Sequence, residues 1–341
     1  MKRIIGFEKG VNLGGWLSQC KYTDEHLETF ITEKDFAVVK SWGADHVRVP
    51  VDYNIFQTED GEFIEKGFGY VDKAIEWCGK NGLNMVLDLH KAIGYFFDKA
   101  ENVTGFFESP VLQDYFCKLW EEFAKRYGKY SDRVAFELLN EVTEPSYSKV
   151  WNEVSRRAVE VIRSYTKDTK IIIGGYWNNS IDSLKDLEMP YDENVVYTYH
   201  CYDPFIFTHQ AAYWLENMPS DFKIDYPGNT AHYHKSICEL GFDYIQTYDW
   251  IKTESFTSDY FIKRFENAVK LCEERNVALY CGEYGVINMA DPDSTLAWYK
   301  DINSAFEKFN IARACWSYRG VDYGLDDEHM SGVIDELTKY L

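Results

Sequence analysis

Two glutamates have the type and setting for proton transfer or nucleophilic attack: Glu141, which closes Leu138-Leu139-Asn140-Glu141, and Glu283, within Gly282-Glu283-Tyr284-Gly285. Cleavage of a glycosidic bond needs such a pair. One carboxyl protonates the departing oxygen, and the other attacks the anomeric carbon or activates water. Residues able to hold or tune them also follow short apolar runs: Arg48 in Val47-Arg48-Val49-Pro50, His90 after Leu89, Asn140 beside Glu141, His200 and Tyr202, and Trp316. His200 and Tyr202 are two apart and so project to one face of an extended segment. A single glutamate at a strand end is as readily a surface residue or half of an ion pair. Two of them, with a cation, two imidazoles, an amide and an indole in equivalent positions, read as a catalytic set.

Other chemistries fit less well. Glu137 shares the parity of Glu141 but stands four residues earlier, about 13 Å deeper by strand rise, and reads as a buried structural carboxylate. Asp88, two residues before His90, is assigned to orienting its neighbours. His90 and His200 lack a third ligand at metal spacing, and His232-Tyr233-His234 belongs to a different segment, so no metal is expected. Gly174-Gly175 is followed by Tyr176-Trp177-Asn178 rather than a phosphate-cradling Gly-Lys-Ser, so no nucleotide site and no cofactor are expected.

The elements that must position these residues follow from patterning. Apolar runs rich in β-branched or aromatic residues recur near 10–13, 46–51, 84–89, 134–139, 170–174, 195–199, 278–281 and 312–318. Segments with helical spacing lie between most of them, at 32–42, 68–81, 110–130, 147–165, 259–275, 294–309 and 330–340. Alternation of this kind predicts a parallel sheet, and near-continuous runs such as Met85-Val86-Leu87 predict strands covered on both faces. Eight units fit an α/β fold of the (β/α)8 barrel type, which takes about 250 residues and grows by loop insertion. The excess is placed at 203–258, where 12 of 56 residues are Phe, Tyr or Trp. The chain is therefore read as one catalytic domain over 1–341 with an inserted subdomain at 203–258. That insertion leaves the barrel at its catalytic rim, so Phe205, Phe207, Tyr213 and Trp214 are expected to offer rings to sugar faces, with a satellite core covering the barrel surface as the alternative for this segment.

Composition narrows the partners. With 36 Lys and Arg against 56 Asp and Glu, the 341-residue chain carries a formal charge of −20. No basic stripe is present to displace counterions from a phosphate backbone, which excludes most nucleic-acid readings. No apolar run approaches the roughly 18 residues of a membrane-spanning helix. The eight cysteines include no Cys-x-x-Cys pair and read as unpaired core thiols. Met1-Lys2-Arg3 is followed by only two apolar residues, so no signal peptide is expected, and the sequence as it stands points to the cytoplasm, or to secretion if a signal was removed. A monomer is expected.

The pieces Gly10-Val11-Asn12-Leu13-Gly14-Gly15-Trp16, His46-Val47-Arg48-Val49-Pro50, Leu87-Asp88-Leu89-His90, Glu137-Leu138-Leu139-Asn140-Glu141, Tyr199-His200-Cys201-Tyr202, Gly282-Glu283-Tyr284-Gly285 and Cys315-Trp316-Ser317-Tyr318 together resemble glycoside hydrolase family 5, the large cellulase family of the (β/α)8 clan. The likeness covers nearly the whole chain. It is similar to the small clostridial endoglucanases with an insertion after strand six. The resemblance implies a retaining mechanism, with Glu141 as acid/base and Glu283 as nucleophile. It also implies that Asn140 holds the sugar 2-hydroxyl, Arg48 and Tyr202 align the Glu283 carboxylate, His90 and His200 line the reacting-sugar subsite, and Trp316 stacks beneath that sugar. Many relatives carry a second His after the first, whereas this chain has His90-Lys91. The implied activity is an endo-β-1,4-glucanase acting on cellulose-like or mixed-linkage β-glucan, without a cofactor. The alternatives are an exo-β-1,3-glucanase of the same family or a non-catalytic carbohydrate-binding barrel.

Overall fold

The computed structural model of the chain describes residues 1–98, 101–246 and 253–341. Eight parallel strands pair in chain order, and the last closes on the first: β1 Lys9–Asn12, β2 His46–Asp52, β3 Asn84–Lys91, β4 Val134–Glu137, β5 Ile171–Gly174, β6 Val195–Cys201, β7 Ala278–Tyr284 and β8 Ala312–Cys315. This is the (β/α)8 barrel expected from the alternation of short apolar runs and helical segments.

The two faces of each strand explain why the runs are almost continuously apolar. On β3, Met85, Leu87 and Leu89 join the large core between sheet and helices, while Val86 belongs to a separate cluster inside the barrel with Ala135, Ile172, Val196, Tyr280 and Ala314. The same inner face continues upward as Asp88 and His90. On β2 it carries His46 and Arg48, with Val47, Val49 and Val51 turned to the helices. An apolar plug therefore fills the lower barrel, and the polar residues begin directly above it.

The helices cover the sheet and are punctuated by their own sequences. Pro110–Tyr127 starts with Pro at its first position, and the Ser109 hydroxyl accepts from the Leu112 amide. It buries Trp120 and Phe123, which at about 1.5–3 kcal/mol per fully buried large side chain makes this face a main source of stability. Pro292–Phe309 starts beneath Asp291 and ends at Asn310, whose φ of 53° is the left-handed stop that Asn tolerates. Two expected elements are shorter in the structure. The tail at 330–340 breaks into an α-turn at Ile334–Leu337 with tight turns beside it. β4 ends at Glu137, although the Leu138 amide still donates to the Ile172 carbonyl, so the chain runs extended to Asn140.

Residues 203–258 follow β6; 247–252 of that span lie outside the described residues. The segment holds a short helix, Phe205–Thr208, and a longer one, Thr230–Glu239. Ile206, Phe207, Tyr226, Tyr233, Ile237 and Phe256 are buried in the same hydrophobic cluster as the helices of the barrel. Arg264 ties the start of the segment down through Asp203 at 2.9 Å. Phe207 is fully buried beside Tyr226, so it is a packing residue and not the sugar-facing ring expected of it. Phe205 is likewise taken up, stacked on His209 at 4.5 Å and edge-on to Phe242. Trp214 and Tyr213 are the rings left open, 44 % and 76 % exposed. The cysteines are unpaired, and most are buried; Cys238 is exposed, which departs from a uniform set of core thiols.

Candidate active site

Arg48 is the centre of the site. It is fully buried on the inner face of β2 and distributes its donors over four strand ends. Nε donates to Glu137 Oε2 at 2.7 Å, one terminal nitrogen to Asn12 Oδ1 at 2.9 Å and to Glu283 Oε1 at 2.7 Å, and the other to Asn140 Oδ1 at 2.8 Å. It also lies 3.1 Å from Asp88. A guanidinium is suited to this because its fork is planar and always charged. The three carboxylates around it hold its pKa well above the ordinary arginine value, against the opposing effect of burial. Glu137 is buried, as the sequence suggested. Yet it shares one guanidinium with Glu283, so strand tilt and side-chain reach bring it to the site that residue counting placed far above it.

Glu283 reaches this cluster through an irregularity in β7. Leu279 and Cys281 face the helices while Ala278 and Tyr280 face inward, so strict alternation would turn Glu283 outward with Cys281. The register instead shifts: Tyr199 pairs with Cys281, and His200 with Glu283, passing over Gly282. The extra residue re-aims the side chain. Glycine fits there because a Cβ would come within 3.0 Å of Thr198 Oγ1 and 3.2 Å of His200 Nε2. The carboxylate then accepts from Arg48 on one oxygen and from the Tyr202 hydroxyl on the other, at 2.8 Å.

Glu141 lies beyond the end of β4 and is held by a different set. Oε1 is 2.7 Å from His200 Nδ1, and Oε2 accepts from the Asn178 amide at 2.7 Å. Burial pushes its pKa above the ordinary carboxylate range, opposed by Asn178, His90 and Arg48. His200 Nδ1 is also 3.5 Å from Glu283 Oε2. Burial drops the pKa values of both His90 and His200 to about 4, so both rings are neutral at physiological pH. Asn179 Nδ2 lies 3.4 Å from His200 Nε2, and the tautomer satisfying both contacts carries its proton on Nδ1, toward Glu141.

His90 is oriented by Asp88 at 2.7 Å and stacks on Trp316, ring centroids 5.7 Å apart and 7° from parallel. Burial pushes Asp88 up to about 7. Lys91, next to His90, pairs with Glu101. All eight site residues expected from sequence, Arg48, His90, Asn140, Glu141, His200, Tyr202, Glu283 and Trp316, therefore sit at one end of the barrel. Three further contributors were not singled out there. Asn12 accepts from Arg48 and donates to the Gly282, Ala314 and Cys315 carbonyls, tying β1, β7 and β8 together. Asn178 and Asn179 follow the Gly174-Gly175 pair, a sequence whose only recognisable pattern is a phosphate loop it does not complete.

One oxygen of Glu141, one of Glu283 and a ring nitrogen of His200 lie within 4.8 Å of one another, the one such donor group among the described residues. It has ligand types that a metal accepts. Two features oppose a divalent cation there: Glu283 is already paired with a permanent cation, and both Glu141 oxygens are occupied by donors. The same closeness suits covalent glycoside chemistry. Retaining sites hold their carboxyls about 5–5.5 Å apart, whereas inverting sites leave about 6.5–9.5 Å for a water.

Comparison with known proteins agrees with this geometry. The chain is 42 % identical to cellodextrinase A of Ruminococcus flavefaciens over 316 residues, covering 92 % of this chain and 86 % of that protein. It is 38 % identical to endoglucanase C of Acetivibrio thermocellus over 343 residues, covering 99 % and 98 %. Among solved structures, the cellulose synthase subunit Z of Clostridioides difficile superimposes with a TM-score of 0.77 at 28 % identity, over 97 % of this chain and 99 % of that one. Thermotoga maritima Cel5A, solved with mannotriose, gives 0.77 at 24 % identity over 98 % and 97 %, a likeness of fold. With the family model for cellulase (glycosyl hydrolase family 5) matching residues 8–321, the chain belongs to glycoside hydrolase family 5.

Proposed function

We propose that the protein is a retaining endo-β-1,4-glucanase that hydrolyses cellulose-like or mixed-linkage β-glucans, soluble cellodextrins included, through Glu283 as nucleophile and Glu141 as acid/base. The observation that carries the mechanism is that an oxygen of Glu141 and an oxygen of Glu283 lie within 4.8 Å of each other in unlike surroundings. The names of the two relatives just described support the substrate class.

In the first step Glu283 attacks the anomeric carbon, the bond to the leaving sugar breaks, and the Glu141 proton passes to the departing oxygen. In the second, Glu141 takes a proton from water, the water oxygen bonds to the anomeric carbon, and Glu283 leaves as a carboxylate. The environments suit these roles. Arg48 and Tyr202 occupy and aim Glu283, while burial shifts Glu141 upward, in the direction an acid needs. Asn140, held by Arg48, is placed for the 2-hydroxyl, and Trp316 with His90 for the sugar face.

A 2-deoxy-2-fluoro-β-cellobioside with a good leaving group tests the nucleophile. Peptide mapping should find the sugar on Glu283, and NMR should show the β-anomer as first product. A label elsewhere or an α-product overturns the mechanism. Turnover of laminari-oligosaccharides in preference to cello-oligosaccharides would replace the substrate class. In Glu141→Ala, kcat/KM on cello-oligosaccharides should fall about 10²–10⁴-fold, and the basic limb of the pH profile on 4-nitrophenyl cellobioside should disappear.

A further inference from the structure

The segment after β5 has a backbone that is expensive to form. Trp177, Asn178 and Asn179 all adopt left-handed conformations, with φ of 52°, 54° and 56°. Each left-handed residue of this kind is disfavoured, least so for Asn. The run is secured on both sides. The Trp177 amide donates to the Thr143 carbonyl at 3.0 Å and the Asn178 amide to the Val142 carbonyl at 2.9 Å, so it is sewn to the residues directly after Glu141. The preceding glycines make room: a Cβ on Gly174 would lie 1.9 Å from Asn179 Oδ1, and one on Gly175 2.1 Å from Ser183 Oγ. Such a turn persists where the surroundings over-determine it, commonly at a functional site.

Its side chains go to the acid. Asn178 donates to Glu141 Oε2 at 2.7 Å, and Asn179 donates to the Asn140 carbonyl and faces His200 Nε2. Resting on the assignment of Glu141 as acid/base, we propose that Asn178 is a positioning residue for that acid, with the left-handed turn serving to present its amide to Glu141 Oε2. With one donor on each oxygen, the Glu141 carboxyl is fixed in rotation, and the remaining lone pairs are those left for the shuttled proton.

The amide also biases the proton. As a donor it favours the ionised carboxyl, so its removal shifts Glu141 toward the protonated form and moves the basic limb of activity to higher pH. The other charged or titratable groups facing Glu141 are His200 on β6, Glu283 on β7, Arg48 on β2, Asp88 and His90 on β3, Tyr202 after β6, and Tyr95 after β3, whose hydroxyl donates to the Glu141 carbonyl. None of them is altered by a change at 178.

The test uses the full chain with Asn178→Gly, which accepts the left-handed backbone without the amide, and Asn178→Asp, which sets an acceptor in place of the donor. For Asn178→Gly, kcat/KM on cellotetraose should fall about tenfold, while the 2,4-dinitrophenyl cellobioside, whose leaving group needs no acid, loses about twofold or less. The basic limb on 4-nitrophenyl cellobioside should rise by about half to one pH unit, and further in Asn178→Asp through like-charge repulsion. Equal losses on both substrates with an unmoved basic limb, or no loss at all, overturn the positioning role. Glu141→Ala separates the two readings. If its basic limb is lost while that of Asn178→Gly stays in place, the positioning role alone falls. If Glu141→Ala keeps the limb, the acid assignment falls and this inference with it.

Discussion

Glu283 and Glu141 share one cleft but are built into it by different means. Glu283 belongs to β7 itself, and its partners, Arg48 and Tyr202, come from within β2 and from the residue directly after β6. Glu141 lies four residues past the end of β4, and its partners are one strand histidine and one loop asparagine. The first carboxylate is fixed by the barrel ladder and a permanent cation. The second is fixed by a strained turn and tuned by burial. That division suits the roles proposed for them. A nucleophile works from one position at a carbon atom, while an acid/base changes its protonation twice per cycle and has to sit where small changes of environment move its pKa.

The comparison breaks most completely at the nucleophile. Glu283→Gln keeps shape and most hydrogen bonding but cannot form the glycosyl bond, so kcat on cello-oligosaccharides should drop by about 10⁴-fold or more with binding retained. Stopped-flow binding and steady-state rates on the same preparation measure both. Near-normal turnover would move the nucleophile to another residue, with Glu137 the next carboxylate on Arg48.

Arg48→Met is the next largest change and tests whether the nucleophile side is structural as well as catalytic. It leaves Asp88, Glu137 and Glu283 buried around an uncharged side chain, and removal of one partner from a buried ionic cluster is worth about 3–5 kcal/mol. The denaturation midpoint should fall accordingly. Asn178→Gly, on the acid side, should leave that midpoint nearly unchanged. A midpoint for Arg48→Met equal to that of the unaltered chain would mean that the guanidinium contributes no net stability to the barrel.

The same asymmetry decides what could be read from sequence. The barrel was legible because each strand is an apolar run with both faces covered, and because Arg48, His90 and His200 follow from simple alternation on their strands. Glu283 was reached by its motif; alternation alone would have turned it to the helices, since the bulge at Gly282 depends on pairing with β6. Glu137 was judged by counting residues, a measure blind to strand tilt and to a guanidinium spanning two depths. Asn178 and Asn179 were hidden for a further reason. A left-handed run has no apolar period, and its signal is the pair of glycines and pair of asparagines around two aromatic residues in Gly174-Gly175-Tyr176-Trp177-Asn178-Asn179. Phe207 misled in the opposite direction, because an aromatic near the rim is indistinguishable by type from one that packs the insertion.

The smallest expected effect lies on the nucleophile side, at the edge of the cleft. Trp214 is half-open, 6.5 Å from Tyr323 and 6.4 Å from His209, and Tyr323 is 5.7 Å from Tyr202, which holds Glu283. A continuous row of rings thus leads from the inserted segment to the nucleophile. Stacked rings suit the apolar faces of glucose units, each such contact being worth about 1 kcal/mol. Trp214→Ala should therefore raise KM on long cello-oligosaccharides about fivefold, with little change on aryl cellobiosides that do not extend to it. The half-buried face of the ring also packs on its neighbours, so the variant has a second expected signature if packing dominates: equal losses on both substrate types together with a lower melting temperature. A length-dependent KM at unchanged melting temperature would make the insertion part of the substrate-binding cleft, whereas the second pattern would confine Trp214 to holding the inserted segment against the barrel.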